Sequence, residues 1–218
     1  MIKIERVQVF GLEAALRGMR NAKDSWNKAD SLFDLPNHSG EHIDIGPNDR
    51  KLATMLANAG TDHGKFLRMI QVWADITAMQ PWWMEFDTYK IGTTKNSRSK
   101  MHKIDAYPFQ RDHFAHEGIE LVPYANEHFD RTIEICERLR QDYNATGEYK
   151  YWRALIEILP EGYELMATVN LNYAVLRDIF QPGRREYHKV YEWRQFCERM
   201  KELPCSFLFA DQGEKHHE

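Results

Sequence analysis

The sequence predicts an α+β fold, a small central sheet flanked by about six helices. Three observations carry this. Lys3 to Phe10 alternate and are rich in Ile and Val, Phe66 to Thr77 carry apolar residues on both alternating rows, and beyond Tyr124 apolar residues recur mostly at helical spacing.

In order along the chain, Lys3 to Phe10 read as a strand. Leu12 to Lys23 place Leu12, Ala15, Leu16 and Met19 on one helical face. Asp24 to Asn48 are Asp-, Asn-, Pro-, Ser- and Gly-rich without periodicity and read as a long loop, a feature that compact domains often use for function. Arg50 to Ala59 read as a short helix with Leu52, Met55, Leu56 and Ala59 inward, stopped by Gly60. Phe66 to Thr77 read as a central strand covered on two faces. Pro81 opens a helix through Trp82, Trp83, Phe86 and Tyr89. After an irregular stretch at 104–122, helices are expected over Tyr124 to Asn144, Tyr149 to Leu159, Leu165 to Phe180 and Val190 to Lys201. Ser206 to Ala210 read as a short edge strand. The expected organisation is one domain over residues 1–210 and a polar tail at 211–218.

With 43% hydrophobic and 12% aromatic residues, the chain has ample material for a core, which excludes a disordered protein. A net charge of -4 and a pI near 6.2 argue against a broad nucleic-acid surface. No apolar run reaches the roughly 20 residues that span a bilayer. The first residues, MIKIERVQVFGLEAALRG, have neither a signal-peptide core nor a transit-peptide composition. Cytoplasm is the expected location. Cys136, Cys197 and Cys205 form no CxxC pair and no even-numbered disulfide framework. HExxH is absent, His216 and His217 lie in the polar tail, and no metal is expected.

Chemistry concentrates in Tyr89-Lys-Ile-Gly-Thr-Thr-Lys-Asn-Ser-Arg-Ser-Lys-Met-His102. Hydroxyls, a glycine and the cations Lys90, Lys95, Arg98 and Lys100 between apolar flanks are what a phosphate-holding loop needs. The stretch is neither a Walker A nor a GxGxxG motif, and a solvated basic loop is the alternative. Arg177, Arg184 and Arg185 bracket Pro182-Gly183. The planar guanidinium suits phosphate, but arginine near a helix C-terminus also complements the helix dipole. Arg153 has Glu157 one turn away as a partner. His63 precedes the central strand, and Trp82 and Trp83 suit either a planar ligand or core packing.

The order and spacing of these segments resemble the flavin-dependent thymidylate synthase (ThyX) family over most of residues 1–200. Where that family has RHRxxSxNExSxRY, this chain has Thr88-Tyr-Lys-Ile-Gly-Thr-Thr-Lys-Asn-Ser-Arg-Ser-Lys-Met-His102. Asn96 and Ser99 fit the later Asn and Ser of the signature with one insertion. Lys90 is the only basic residue at the RHR triplet, and Met101-His102 stand at the closing Arg-Tyr. Leu155-Ile-Glu-Ile-Leu-Pro160, Thr168-Val-Asn170, Phe180, Arg184 and Glu192-Trp193 resemble the family's C-terminal segments, with Ile156 and Asn172 at two of its arginine positions.

The resemblance implies a ThyX-like fold with a small central antiparallel sheet. It implies FAD beside His63 and Lys90 with Asn170 in positioning, and a dUMP-like pyrimidine nucleotide held by Asn96, Ser99, Lys100, Arg153, Arg177, Arg184 and Arg185. Ser99 and Arg184 would act on the phosphate in catalysis, and the assembly would be a homotetramer. Two functions stay open: a divergent enzyme methylating dUMP with FAD, and a catalytically inactive relative of phage or mobile-element origin that binds a nucleotide or a partner protein.

Overall fold

The structure is a computed structural model and describes residues 1–34, 37, 39–181 and 188–210. The chain opens with β1 (Lys3–Phe10), α1 (Leu12–Gly18), β2 (Leu32–Phe33), β3 (Ile43–Asp44) and α2 (Pro47–Asn58). It continues with β4 (Gln71–Met79), α3 (Gln80–Phe86), β5 (Thr94–Ser97), α4 (Lys100–Lys103), α5 (Glu117–Glu120), α6 (Pro123–Thr146) and α7 (Tyr149–Ile158). The last elements are β6 (Glu164–Asn172), α8 (Tyr173–Ile179), α9 (Tyr191–Met200) and α10 (Phe207–Ala210). Four strands make a small antiparallel sheet in the order β1-β4-β6-β5, and β2 pairs with β3 in a separate ribbon. The α+β architecture read from the sequence is the one found.

Contacts divide the chain into two compact units. One comprises Met1–Lys3, Thr77–Asp87 and Asn96–Ala167; the other comprises Ile4–Ile76, Thr88–Lys95 and Thr168–Glu218.

In the first unit, α6 carries Phe129 and Cys136 against Leu155 of α7, with Ile104, Phe109 and Phe114 closing the cluster. Burial pushes the Cys136 thiol up to about 11, the behaviour of a packed apolar residue rather than a nucleophile. Glu137, one residue on, accepts from Arg140 Nε (2.8 Å), the Phe109 amide (2.9 Å) and Gln141 (2.8 Å). The Arg140 guanidinium foremost holds its carboxyl down at about 2. In α3, Pro81 lies in the first turn as expected, and Trp82, Trp83 and Phe86 are buried. Trp83 Nε1 donates to the carbonyls of Ala78 and Leu165, 3.0 Å each. The tryptophan pair is therefore core.

In the second unit, the expected long loop has internal architecture. Arg20 and Asp49 form a buried ion pair, Nη2 to Oδ1 2.6 Å, each side chain 3% exposed. Arg20 also donates to the carbonyls of Ser25 (3.2 Å) and Lys28 (3.0 Å). Asp49 Oδ2 accepts from the amides of Asp30 and Ser31 (3.0 Å each) and from the Ser31 hydroxyl (2.7 Å). Asp30 in turn caps α2 by accepting from the amides of Asn48 (2.9 Å) and Asp49 (3.0 Å). Gly40 bridges to Val9 at φ +114, where a Cβ would lie 2.0 Å from the Val9 carbonyl oxygen. Only glycine fits there.

The helix opened by Pro81 ends at Phe86, short of the expected Tyr89, and five further expectations need correction. The helix expected from Arg50 begins at Pro47, because Asp30 caps it, and its buried face is Asp49, Ala53 and Ala57. Met55 is exposed, and Leu52 and Leu56 are only half-buried. The strand expected from Phe66 begins at Gln71; Gly64–Met69 form a 3-10 helix. Leu165 to Phe180 are not one helix. They are β6 followed by α8, since Ala167, Val169 and Leu171 alternate into the core and Asn172 starts the helix. Ser206 to Ala210 end in α10, not an edge strand. The helix expected through Lys23 stops at Gly18 and resumes as a 3-10 turn over Asn21–Lys23.

Candidate functional site

The polar stretch after α3 begins from an anchored base. Tyr89 is buried and stacks on Trp193, centroids 5.9 Å apart and rings 14° from parallel. The Thr93 hydroxyl donates to the Tyr89 carbonyl, closing the turn between them. Gly92 has φ +85, and a Cβ there would lie 2.7 Å from Asn172 Nδ2. Asn172 is itself 7% exposed. Its side-chain oxygen accepts from the amides of Ala174 (3.0 Å) and Val175 (3.1 Å) at the start of α8, and Nδ2 approaches the Gly92 carbonyl at 3.5 Å. Asn172 thus caps a helix and holds the foot of the loop.

Beyond that foot the stretch is solvent-facing. Lys90, Asn96 and Ser99 are exposed and Lys100 is half-buried. Ser99 Oγ accepts from the His102 amide (3.2 Å), which leaves its hydroxyl hydrogen without an acceptor among the described residues. Lys90, Arg98 and Lys100 pair with no carboxylate among the described residues, whereas Arg6, Arg20, Arg111, Arg131, Arg140, Arg153 and Arg199 all do. Adjacent donors without acceptors can hold an anion, as single side chains paired to carboxylates cannot.

The other residues singled out from the sequence fall as follows. His63 is exposed at the entrance to the 3-10 helix Gly64–Met69. Asn170 Nδ2 donates across to the Val72 carbonyl at 3.2 Å. Arg153 is exposed and bonded to Glu157 at 2.5 Å. Arg177 donates to the Leu208 carbonyl and to Asn58 Oδ1, 2.8 Å each, and burial lowers its pKa. Arg184, Arg185, Pro182 and Gly183 lie outside the described residues, as do His216 and His217.

Two features had no sequence signal beyond their residue types. Arg98 lies over the Tyr107 ring, 5.2 Å from its centroid. Asp75 accepts from the Thr168 hydroxyl (2.6 Å) and Arg6 (2.7 Å), which together hold its carboxyl below the ordinary carboxylate range. Among the described residues no group of three or more His, Cys, Asp or Glu could hold a metal ion, and no helix is long and apolar enough to cross a membrane.

Comparison of the whole fold supplies the remaining observation. A Helicobacter pylori flavin-dependent thymidylate synthase ThyX, complexed with FAD and dUMP, superposes with a TM-score of 0.68 over 95% of this chain and 99% of its own, at 16% identity. The chain has the ThyX fold. A second Helicobacter pylori ThyX structure with FAD and dUMP gives 0.69 over 97% and 98%, at 15% identity. A UMP/dUMP methylase PolB from Streptomyces cacaoi, bound with 5-Br dUMP, gives 0.62 over 92% and 87%, at 12% identity. No family model matches the sequence, and no curated protein does. The ThyX likeness is therefore one of backbone architecture.

Proposed function

We propose that this ThyX-like chain binds a pyrimidine nucleotide of the dUMP type, with Ser99 and Lys100 on its phosphate. The observation that carries the reading is the pair of adjacent donors at 99 and 100, a hydroxyl and an ammonium, neither with an acceptor or carboxylate among the described residues. Charge-assisted hydrogen bonds from such groups are the ordinary means of holding phosphate. The three ThyX-fold structures compared above were each solved with a uridine nucleotide or its bromo analogue, which supports the same ligand class here. Asn96 belongs to the same site in this reading. Arg153 contributes less, because Glu157 already engages it.

The residues do not fit a flavin as well. A flavin pyrophosphate needs strong anion partners, and Lys90 stands alone where the resemblance puts two arginines. Asn170 has its amide committed to Val72, and His63 is a lone exposed imidazole. These observations favour a nucleotide-binding protein without tightly held FAD over an enzyme that methylates dUMP.

Calorimetry and absorbance test both parts. dUMP is expected to bind saturably and deoxyuridine, which lacks the phosphate, at least about tenfold more weakly. Purified protein is expected to be colourless. Equal affinity for the two ligands would remove the phosphate site, and a flavin peak near about 450 nm would restore the enzymatic reading.

A further inference from the structure

We propose a second ligand site in the first unit, one that takes an aryl phosphate: a planar ring carrying a phosphate group. The site is a cavity of about 440 Å³ whose lining includes neither Ser99 nor Lys100. That volume lies in the range of about 300–1,000 Å³ usual for small-molecule sites. The proposal goes beyond the nucleotide reading and does not depend on it.

The cavity combines an aromatic wall with cations that pair with no carboxylate among the described residues. Ile104 and Phe109 are buried at its apolar side, and the Phe109 backbone N–H donates to Glu137 Oε2 (2.9 Å), which fixes it there. Tyr163 adds a half-buried ring. Tyr107 is 62% exposed and carries the Arg98 guanidinium at 5.2 Å from its ring centroid. An exposed tyrosine faced by a guanidinium provides two flat surfaces for a planar ligand.

The charge balance selects an anion. Lys3, Arg98 and Lys103 line the cavity, and none pairs with a carboxylate among the described residues. The two carboxylates of the lining each have a positive or potentially positive neighbour, that of Glu164 being shared with Glu117, and three cations still outnumber them. Asp112 lies 3.9 Å from His113 Nε2, and Glu164 lies 3.9 Å from the Met1 ammonium. Three cations beside an aromatic wall match a phosphate joined to a ring. A bare phosphate would leave the wall unused, and a neutral ring would leave the cations unused.

Titration calorimetry with phenyl phosphate, inorganic phosphate and phenol tests the site in the full chain. Phenyl phosphate is expected to bind at least about tenfold more tightly than either fragment. Arg98→Ala and Tyr107→Ala, both at exposed positions, are each expected to weaken it about tenfold without lowering the melting temperature. Saturating dUMP is expected to leave phenyl phosphate binding unchanged. Affinity no better than inorganic phosphate, insensitivity to either substitution, or displacement by dUMP would each overturn the proposal.

Discussion

Arg20→Met is expected to destabilise the fold by about 3–5 kcal/mol, the cost of leaving a buried carboxylate without its cation. Asp49 is 2% exposed, and burial alone would raise its pKa. The bonds from Ser31, the Asp30 amide and Arg20 outweigh that and hold it below the ordinary value of 3.8. A carboxyl depressed in the folded state contributes stability that is present above its unfolded pKa and lost as pH falls through the folded one. In Arg20→Met the share of that depression that Arg20 supplies disappears, so the gap between variant and wild type should narrow on acidification below about pH 4. Replacing both partners, as Arg20→Met with Asp49→Leu, should recover part of the loss, because no unpaired charge is left. Urea unfolding of the three proteins measures all of this. A loss under about 1 kcal/mol for the single variant would show the pair to be dispensable.

Trp193→Ala is the second large effect, about 3–5 kcal/mol from the cavity it leaves. Trp193 is 1% exposed and touches Tyr89 (5.9 Å), Phe196 (5.7 Å) and His188 (5.3 Å) between ring centroids. Its functional consequence runs through Tyr89, which sets where the polar stretch starts. Trp193→Phe keeps a ring against Tyr89 and should lose less than half as much stability. If the stack positions the loop, dUMP affinity falls in Trp193→Ala and is largely retained in Trp193→Phe. Unchanged affinity in a folded Trp193→Ala protein would separate the stack from binding.

How much of this was legible in the sequence depended on how local the determining interaction is. β1 was readable to the residue, because its run rich in Ile and Val is self-contained from Lys3 to Phe10. Pro81 announced α3 for the same reason. β6 was misread because Leu165, Met166, Ala167, Leu171 and Leu176 are good helix formers, while the deciding facts are distant. Its alternate residues face a core, and the Asn172 side chain ends the strand by capping α8. The 24–48 segment looked featureless because its organiser is one ion pair, between residues 29 positions apart, with ordinary loop residues donating to it. In the candidate site, the cationic hydroxyl-rich composition of 89–102 was visible, and so was the Arg153–Glu157 alternative that the geometry contains. Asn172 as a helix cap beside Gly92, and the pairing of Arg98 with Tyr107, needed coordinates.

The central claim is that Ser99 and Lys100 hold a nucleotide phosphate. Its most direct test is the dUMP affinity of Lys100→Ala measured against wild type by calorimetry. Loss of a charged hydrogen-bond partner is worth about 1.5–3 kcal/mol, so the account predicts a drop of about tenfold or more. A folded Lys100→Ala protein that binds dUMP as tightly as wild type would contradict it.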